Sequence, residues 1–269
     1  MKNLLHVAPF GGGFSRGGSP GGGGRGRRRF RAGAFTLVEL LTVIAILGIL
    51  AAILIPTTTS ARVAANKAKT RAQFAQWAAA IEAFRQEYGY YPTFETAGAG
   101  MNKVNGNTAG STNLTAVHRF YETLTGVRRD GTPLPTATTG TPAPPQAQNT
   151  RRIPFITFTE ADIVPINTTD PTLTARRGLI RDAFDNTDIA VLVDRNLDGK
   201  IASGAIGGDS INALPLVSPP DNAAVRQAPT TGANGDFPTG ANLGVRAGVI
   251  FYCMPPKGTT QSDLLMSWK

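Results

Sequence analysis

Few side chains in this 269-residue sequence have the type and spacing to do chemistry, and the rarest types already exclude much of it. There is one cysteine, Cys253, and there are two histidines, His6 and His118. A single thiol makes no intramolecular disulfide and no cysteine-based zinc site, and two histidines give a His-rich metal centre or a Ser-His-Asp hydrolase almost no material. Two acidic features stand out. The first is Glu39, a carboxylate near the front of an otherwise apolar run. The second is DRNLDGKI, Asp194 to Ile201, where Asp194, Asn196 and Asp198 alternate as the oxygen ligands of a calcium loop do. Gly199 occupies the turn position and Lys200 the backbone-carbonyl position. The twelfth position is Ala205 where a bidentate Glu is usual, so another acid such as Asp209 has to complete the shell. The same residues also make a tight turn between strands through their own backbone hydrogen bonds, and both readings stay open at this level.

The apolar run around Glu39 is FTLVELLTVIAILGILAAILIP, Phe35 to Pro56, with no charge from Leu40 to Ile55. About 21 helical residues at ~1.5 Å each match the ~30 Å hydrocarbon core of a bilayer, which predicts one transmembrane helix. A cleaved secretory signal is the plain alternative, but the run is longer than the usual apolar region of such signals and carries a carboxylate. An ionised residue costs about 2.5–3.5 kcal/mol at a membrane-helix centre and less near the interface. No base lies within a turn of Glu39 to offset that. A cut before Phe35 would create an α-amino group, and the Glu39 of one copy would then pair with the terminus of its neighbour.

The charge distribution fits this picture. The formal net charge is +9, yet residues 1 to 34 hold Lys2, Arg16, Arg25, Arg27, Arg28, Arg29 and Arg31 with no acid, leaving the remainder nearly neutral. That Gly/Arg-rich leader cannot bury a core. Arginine tracts bind phosphates, but a tract beside a membrane span reads as an orientation signal, so no nucleic-acid partner is expected. The cluster from Arg25 to Arg31 has to outweigh Arg62, Lys67, Lys69 and Arg71 beyond the span. No nucleophile–base pair, phosphate loop or complete metal site marks the chain as an enzyme.

The elements that position these residues are α+β. After Pro56 the alanine-rich stretch to Tyr88 carries Phe74, Trp77, Ile81 and Phe84 at intervals of three or four, an apolar stripe that Gly89 and Pro92 terminate. The expectation is one helix of about 80 Å from Thr36 to Tyr88, bent at Pro56, with Thr57 to Thr59 helping to satisfy the freed carbonyl. Residues 57–89 form its soluble half, and residues 90–269 a head. Within the head, Thr115 to Thr125 reads as a helix with Val117, Phe120, Tyr121 and Leu124 on one face. Residues 131–149 read as an exposed Pro/Thr-rich loop, and RRIPFITF, from Arg151, as an edge strand. Ile189 to Val193 and Val245 to Met254 read as buried strands joined by the Gly- and Pro-rich residues 202–244.

AFTLVELLTVIAILGILAAILIP behind a basic leader resembles the class III signal of type IV pilins and type II secretion pseudopilins. In that pattern prepilin peptidase cuts before a Phe that is then N-methylated, with Glu at the fifth mature position and Pro at the twenty-second. Phe35, Glu39 and Pro56 fall on these places, and Ala34 stands where the family has Gly. The resemblance implies cleavage between Ala34 and Phe35, removal of residues 1–34, and a pilin-like fold: a long N-terminal helix, transmembrane over residues 35–56, packed on a small antiparallel sheet with long loops. YGYYPT after the helix, RDAFDNTD with Phe184 in the place of a Trp, and the ending SDLLMSWK are similar to the major pseudopilin. In that ending Asp263 matches the acid of a calcium-binding loop, and Trp268 is expected against the long helix. The implied role is structural: a single-pass inner-membrane protein, N-terminus cytoplasmic and head periplasmic, that polymerises into a pseudopilus or pilus supporting protein secretion. Its partners would be further copies of itself, other pseudopilins, prepilin peptidase, the inner-membrane secretion platform and membrane lipid, with calcium as the one cofactor. The competing reading is a membrane-anchored or secreted enzyme or binding module with an ordinary signal.

Overall fold

The computed structural model describes residues 35–94, 102–106, 114, 117–136, 143–202, 214–232, 234–239 and 244–269. The chain divides into two compact units, Met1–Ile53 and Leu54–Lys269. Helix α1, Leu37–Tyr88, starts in the first and ends in the second. Only Gly48 and Pro56 interrupt its run of helix-compatible residues, and the helix continues through both. Just past Pro56, Thr57 Oγ1 donates to the Leu54 carbonyl at 2.8 Å and Ser60 Oγ to the Thr57 carbonyl at 2.9 Å. The helix stops at Gly89, whose left-handed φ of +80° closes the last turn with an N–H donated to the Arg85 carbonyl at 2.7 Å.

Within the second unit the sheet has three antiparallel strands in the order β1 (Ile189–Val193), β2 (Val249–Cys253) and β3 (Leu265–Met266). Ile189 lies opposite Cys253, Val193 opposite Val249, and Tyr252 opposite Met266. The outer edge of β1 is covered, because Val104 donates its N–H to the Ile189 carbonyl at 2.9 Å and Val191 donates to Asn102 at 2.8 Å.

All five residues of β1 are buried, which follows from a layer on each face of the sheet. Ile189, Val191, Phe251 and Cys253 face α1, where Phe74 stacks on Phe251 at 5.3 Å and Trp77 meets it edge-on at 5.6 Å. Ala190, Leu192, Ile250 and Tyr252 point the other way, onto Ile201, Val217, Phe237 and Val245 from irregular chain. The architecture is thus the expected α+β arrangement of a long helix on a small antiparallel sheet, with a second covering layer made of loops.

Several local expectations are corrected. The helix read as Thr115 to Thr125 is α2, Arg119–Thr125, with His118 as its N-cap. Residues 115 and 116 lie outside the described residues, and Val117 is exposed while Phe120 and Leu124 are buried. The segment RRIPFITF is not a strand. Arg152 has a left-handed φ of +54° and Pro154 has no N–H, so no ladder forms. Instead Phe155 packs edge-on against Phe84 at 5.4 Å, and its N–H reaches the Leu124 carbonyl at 2.8 Å.

Residues 131–149 are not wholly an exposed loop either. Helix α3, Pro145–Gln148, buries Gln148, whose Oε1 accepts the Thr93 N–H at 2.6 Å, and Asn149 Nδ2 donates to the Thr123 carbonyl at 2.9 Å. Residues 137–142 lie outside the described residues. A further short helix, α4, spans Pro171–Thr174. The Val245 to Met254 segment is a strand only over Val249–Cys253, with Val245 bridged separately to Ile201. Trp268 does not pack on α1. It lies in the second layer, 6.1 Å edge-on from Tyr252, with Nε1 donating to the Asp236 carbonyl at 3.0 Å.

Candidate functional site

Helix α1 begins with a reciprocal cap. Glu39 Oε2 accepts from the Thr36 N–H at 2.8 Å and from the Thr36 hydroxyl at 2.7 Å, while the Glu39 N–H donates to Thr36 Oγ1 at 3.2 Å. This is a capping box, in which a Thr and a carboxylate three residues on satisfy each other's orphan donors. Phe35, immediately before it, is 80% exposed. From Leu37 to Leu54 every residue is exposed, and this is the one stretch among the described residues long and apolar enough to cross a membrane. Burying a large apolar side chain is worth roughly 1.5–3 kcal/mol, so such a surface is stable only in lipid or against other apolar helices. Pro56 sits in the helix two residues beyond Leu54. Ala34 lies outside the described residues.

Residues 29–55 match the family model described as the prokaryotic N-terminal methylation motif. The matched stretch contains Ala34, Phe35 and Glu39. No curated protein and no solved structure matches the chain. The motif supports a type IV pilin-like chain carrying a prepilin-type signal of the kind prepilin peptidase processes, and together with the apolar helix it fits anchoring in a membrane. A signal of this kind points to pilin-like structural proteins.

The second acidic feature is the loop after β1. Asp194 is buried, and its carboxylate accepts two N–H groups of its own loop, from Asp198 at 3.2 Å and from Gly199 at 2.8 Å. Asn196 Oδ1 accepts the Asp198 N–H at 3.2 Å, and Asp198 Oδ1 accepts the Lys200 N–H at 3.0 Å. Lys200 Nζ stands 4.0 Å from Asp198 Oδ2. Leu197 and Gly199 take left-handed φ values of +61° and +83°, which curl the loop so that these bonds close.

Asp263 belongs to another structure, a capping box in which its Oδ2 accepts from the Thr259 N–H, the Thr260 N–H and the Thr260 hydroxyl at 3.0, 2.9 and 2.8 Å. Those backbone hydrogen bonds, Thr259 first, hold its carboxyl below the ordinary carboxylate range. A calcium ion takes six to eight oxygens at about 2.3–2.6 Å. No three His, Cys, Asp or Glu side chains gather as a metal site among the described residues, and acceptors of this loop bond its own N–H groups. Ala205 and Asp209 lie outside the described residues.

The two groups that would attract attention as reactive are structural. Cys253 is buried, and its thiol donates to Asp182 Oδ2 at 3.2 Å. Burial pushes that thiol well above its usual range, so it is not a thiolate near neutral pH. Asp182 in turn accepts the N–H groups of Phe184 and Asn186 at 2.8 and 2.9 Å, and Asn186 donates to the Ser218 and Met254 carbonyls at 3.0 and 2.8 Å. The RDAFDNTD segment is therefore the knot that ties the ends of both strands together. Its sequence signal was the density of Asp and Asn in a turn.

Proposed function

We propose that the chain is a structural subunit of a type II secretion pseudopilus or a type IV pilus. The observation that carries this reading is the exposed apolar surface of Leu37–Leu54 within the stretch that matches the methylation motif. A surface of that kind needs lipid while the subunit is stored and helix partners once it is assembled. In this reading the Arg-rich leader keeps the N-terminus cytoplasmic, the helix inserts once, and the head enters the periplasm. Prepilin peptidase cuts between Ala34 and Phe35, and Phe35 is N-methylated. Helices of successive copies then pack side by side, aided by Gly48 and the alanines, on an inner-membrane assembly platform with other pseudopilins.

Glu39 has a part at each stage. In the uncut chain it caps α1 through Thr36. After the cut, the new amine lies one residue before Thr36, and the Glu39 of one copy pairs with the Phe35 amine of the next.

The deciding experiment is the intact mass of the mature chain recovered from membranes. A chain that begins at Phe35 with one added methyl group supports the reading. A chain cut beyond the apolar run overturns it and favours a secreted protein with an ordinary signal peptide.

A further inference from the structure

Two sites on the second unit carry opposite charge beside apolar surface. The first is a cleft of about 380 Å³ between α1 and the turn at residues 255–258, where Arg62, Lys67 and Lys257 share the lining with Val63, Phe184 and Pro255. None of the three cations forms an ion pair within 4 Å with another described residue. The one acid of the cleft, Asp263, has Oδ2 occupied by its three hydrogen bonds to Thr259 and Thr260. Three cations against one engaged acid leave the cleft positive.

The second site is an apolar recess of about 430 Å³ whose lining includes Phe158, Ile163, Val164 and Ile166. Glu160, on the one-turn helix Glu160–Asp162, is its one acid and is exposed. That carboxylate also lacks an ion pair within 4 Å among the described residues. The cation of the recess, Arg129, is half-buried and donates from Nη1 to the Gly178 carbonyl at 2.7 Å. The charge offered outward is therefore that of Glu160. Ile166, 40% exposed, gives it an apolar neighbour.

Both sites are tied to α1, but at different places on it. Asp162 fixes the acidic turn, its Oδ2 accepting the Thr159 N–H at 2.9 Å and its Oδ1 accepting Gln73 Nε2 at 2.8 Å. Lys67 belongs to the cleft. The six residues from Lys67 to Gln73 amount to about 9 Å along the helix and roughly 120° around it. Within one chain no ion pair joins the two sites.

Complementary patches at different places on one subunit make a heterologous contact, which generates rings or open filaments rather than closed pairs. Cleft against cleft, or acid against acid, would bring like charges together, so the charge pattern selects the heterologous pairing.

We propose that Glu160 of one copy enters the Arg62, Lys67 and Lys257 cleft of a second copy, with Ile166 of the first resting on Val63 and Phe184 of the second. This contact rests on the polymerising reading above and adds to it a specific surface through which successive heads meet.

The test uses the full chain in its own host, with sheared filaments measured against membrane-stored chain by immunoblot. Glu160→Lys, and the pair Lys67→Glu with Lys257→Glu, are each expected to lower filament yield at least about fivefold. Combining all three substitutions sets opposite charges against each other again and should restore yield to within about twofold of wild type. A purely structural role for these residues would not give that rescue. A second measurement needs no charge reversal. Because the native Cys253 is buried, oxidation of a Glu160→Cys, Lys257→Cys variant reports on the two introduced thiols. Its filaments are expected to run as a ladder of multimers on non-reducing gels, and those of each single variant as monomer.

Full yield from Glu160→Lys, no rescue by the triple swap at normal levels of stored chain, or a dimer band or intramolecular disulfide in place of the ladder overturns the proposal. Cross-links from either single variant to a different protein overturn it in favour of a mixed contact. The two readings fail separately: filaments that form without the ladder sink only the head contact, whereas wild-type chain that never assembles sinks the polymerising reading and this contact with it.

Discussion

Thr36 and Glu39 satisfy each other at the first turn of α1, so the carboxylate that the apolar sequence leaves without a partner has a local one. Capping and charge can therefore be separated at this residue. A capping box accepts Glu or Gln, so Glu39→Gln keeps the helix start and removes only the charge, whereas Glu39→Ala removes both. Both variants are expected to insert and to be cut before Phe35. Both should lower the yield of sheared filaments tenfold or more, because deleting one partner of a desolvated ion pair costs about 3–5 kcal/mol. Normal filament yield from Glu39→Gln would reduce Glu39 to a helix cap.

Trp77 is the side chain through which α1 holds the sheet. It is 1% exposed and meets Phe74, Phe120 and Phe251 at ring separations of 5.6 to 5.7 Å. Trp77→Ala leaves a cavity at the centre of the layer and is expected to cost about 3–5 kcal/mol. The neighbouring exposed position tested as Gln76→Ala should cost no more than about 0.5 kcal/mol. Guanidinium unfolding of the full chain in detergent, followed by near-ultraviolet circular dichroism, measures both. Similar midpoints for the two variants would mean that α1 is not anchored through this stripe.

What the sequence showed plainly was whatever repeats with a fixed period or breaks a uniform run. The stripe Phe74, Trp77, Ile81 and Phe84 marked the buried face of α1, and the unbroken apolar run Ile189–Val193 marked a strand covered on both faces. Glu39 stood out because one charge interrupts an apolar segment, and Phe35 came from the resemblance to the prepilin signal. What stayed hidden depends on partners distant in the chain. Gln148 is buried because Thr93 supplies an N–H 55 residues away, and no local pattern announces that. RRIPFITF alternates like a strand, but the aromatic side chains of α1 and α2 compete for Phe155 and Phe158, and packing overrides the alternation. Trp268 went to the layer opposite α1 because the two-residue strand Leu265–Met266 fixes which face follows it.

His118 gives the head an acid-sensitive contact. It is fully buried with both ring nitrogens in use: Nε2 lies 2.9 Å from Asn105 Oδ1, and Nδ1 accepts the Tyr121 N–H at 3.2 Å. A second ring proton would have to displace the Tyr121 bond. Burial, with the nearby Arg129 charge, holds the imidazole down to about 3 from an ordinary 6.5. The unfolded chain therefore takes up this proton below about pH 6.5 and the folded chain only near pH 3, so stability falls as pH drops through that window. At about 1.4 kcal/mol per unit the loss is on the order of 4 kcal/mol by the bottom of the window. Glu122 acts in the opposite sense, since burial raises its carboxyl above 4.5. The His118 contribution is thus read as a difference from His118→Asn, which keeps an N-cap acceptor but does not titrate. Denaturation midpoints from pH 7 to 4 should decline more steeply in wild type than in the variant, and parallel declines would remove His118 as the cause.

The loop after β1 distinguishes a hydrogen-bonded turn from a metal site. Asp194 is buried, and its carboxylate takes the N–H groups of Asp198 and Gly199, so the curl of the loop is closed by the protein itself. Asp194→Ala leaves both N–H groups without that acceptor and is expected to cost about 1–3 kcal/mol. Asp198→Ala removes an exposed acceptor for one N–H and should cost about 1 kcal/mol or less. With these hydrogen bonds closing the loop, EDTA or millimolar calcium is expected to move the melting temperature of the full chain by less than about 1 °C. That corresponds to a small fraction of a kcal/mol for a head of this size. A drop of several degrees with EDTA, restored by calcium and absent in Asp194→Ala, would instead require that Asp209 or another ligand from outside the described residues completes a calcium shell on this loop.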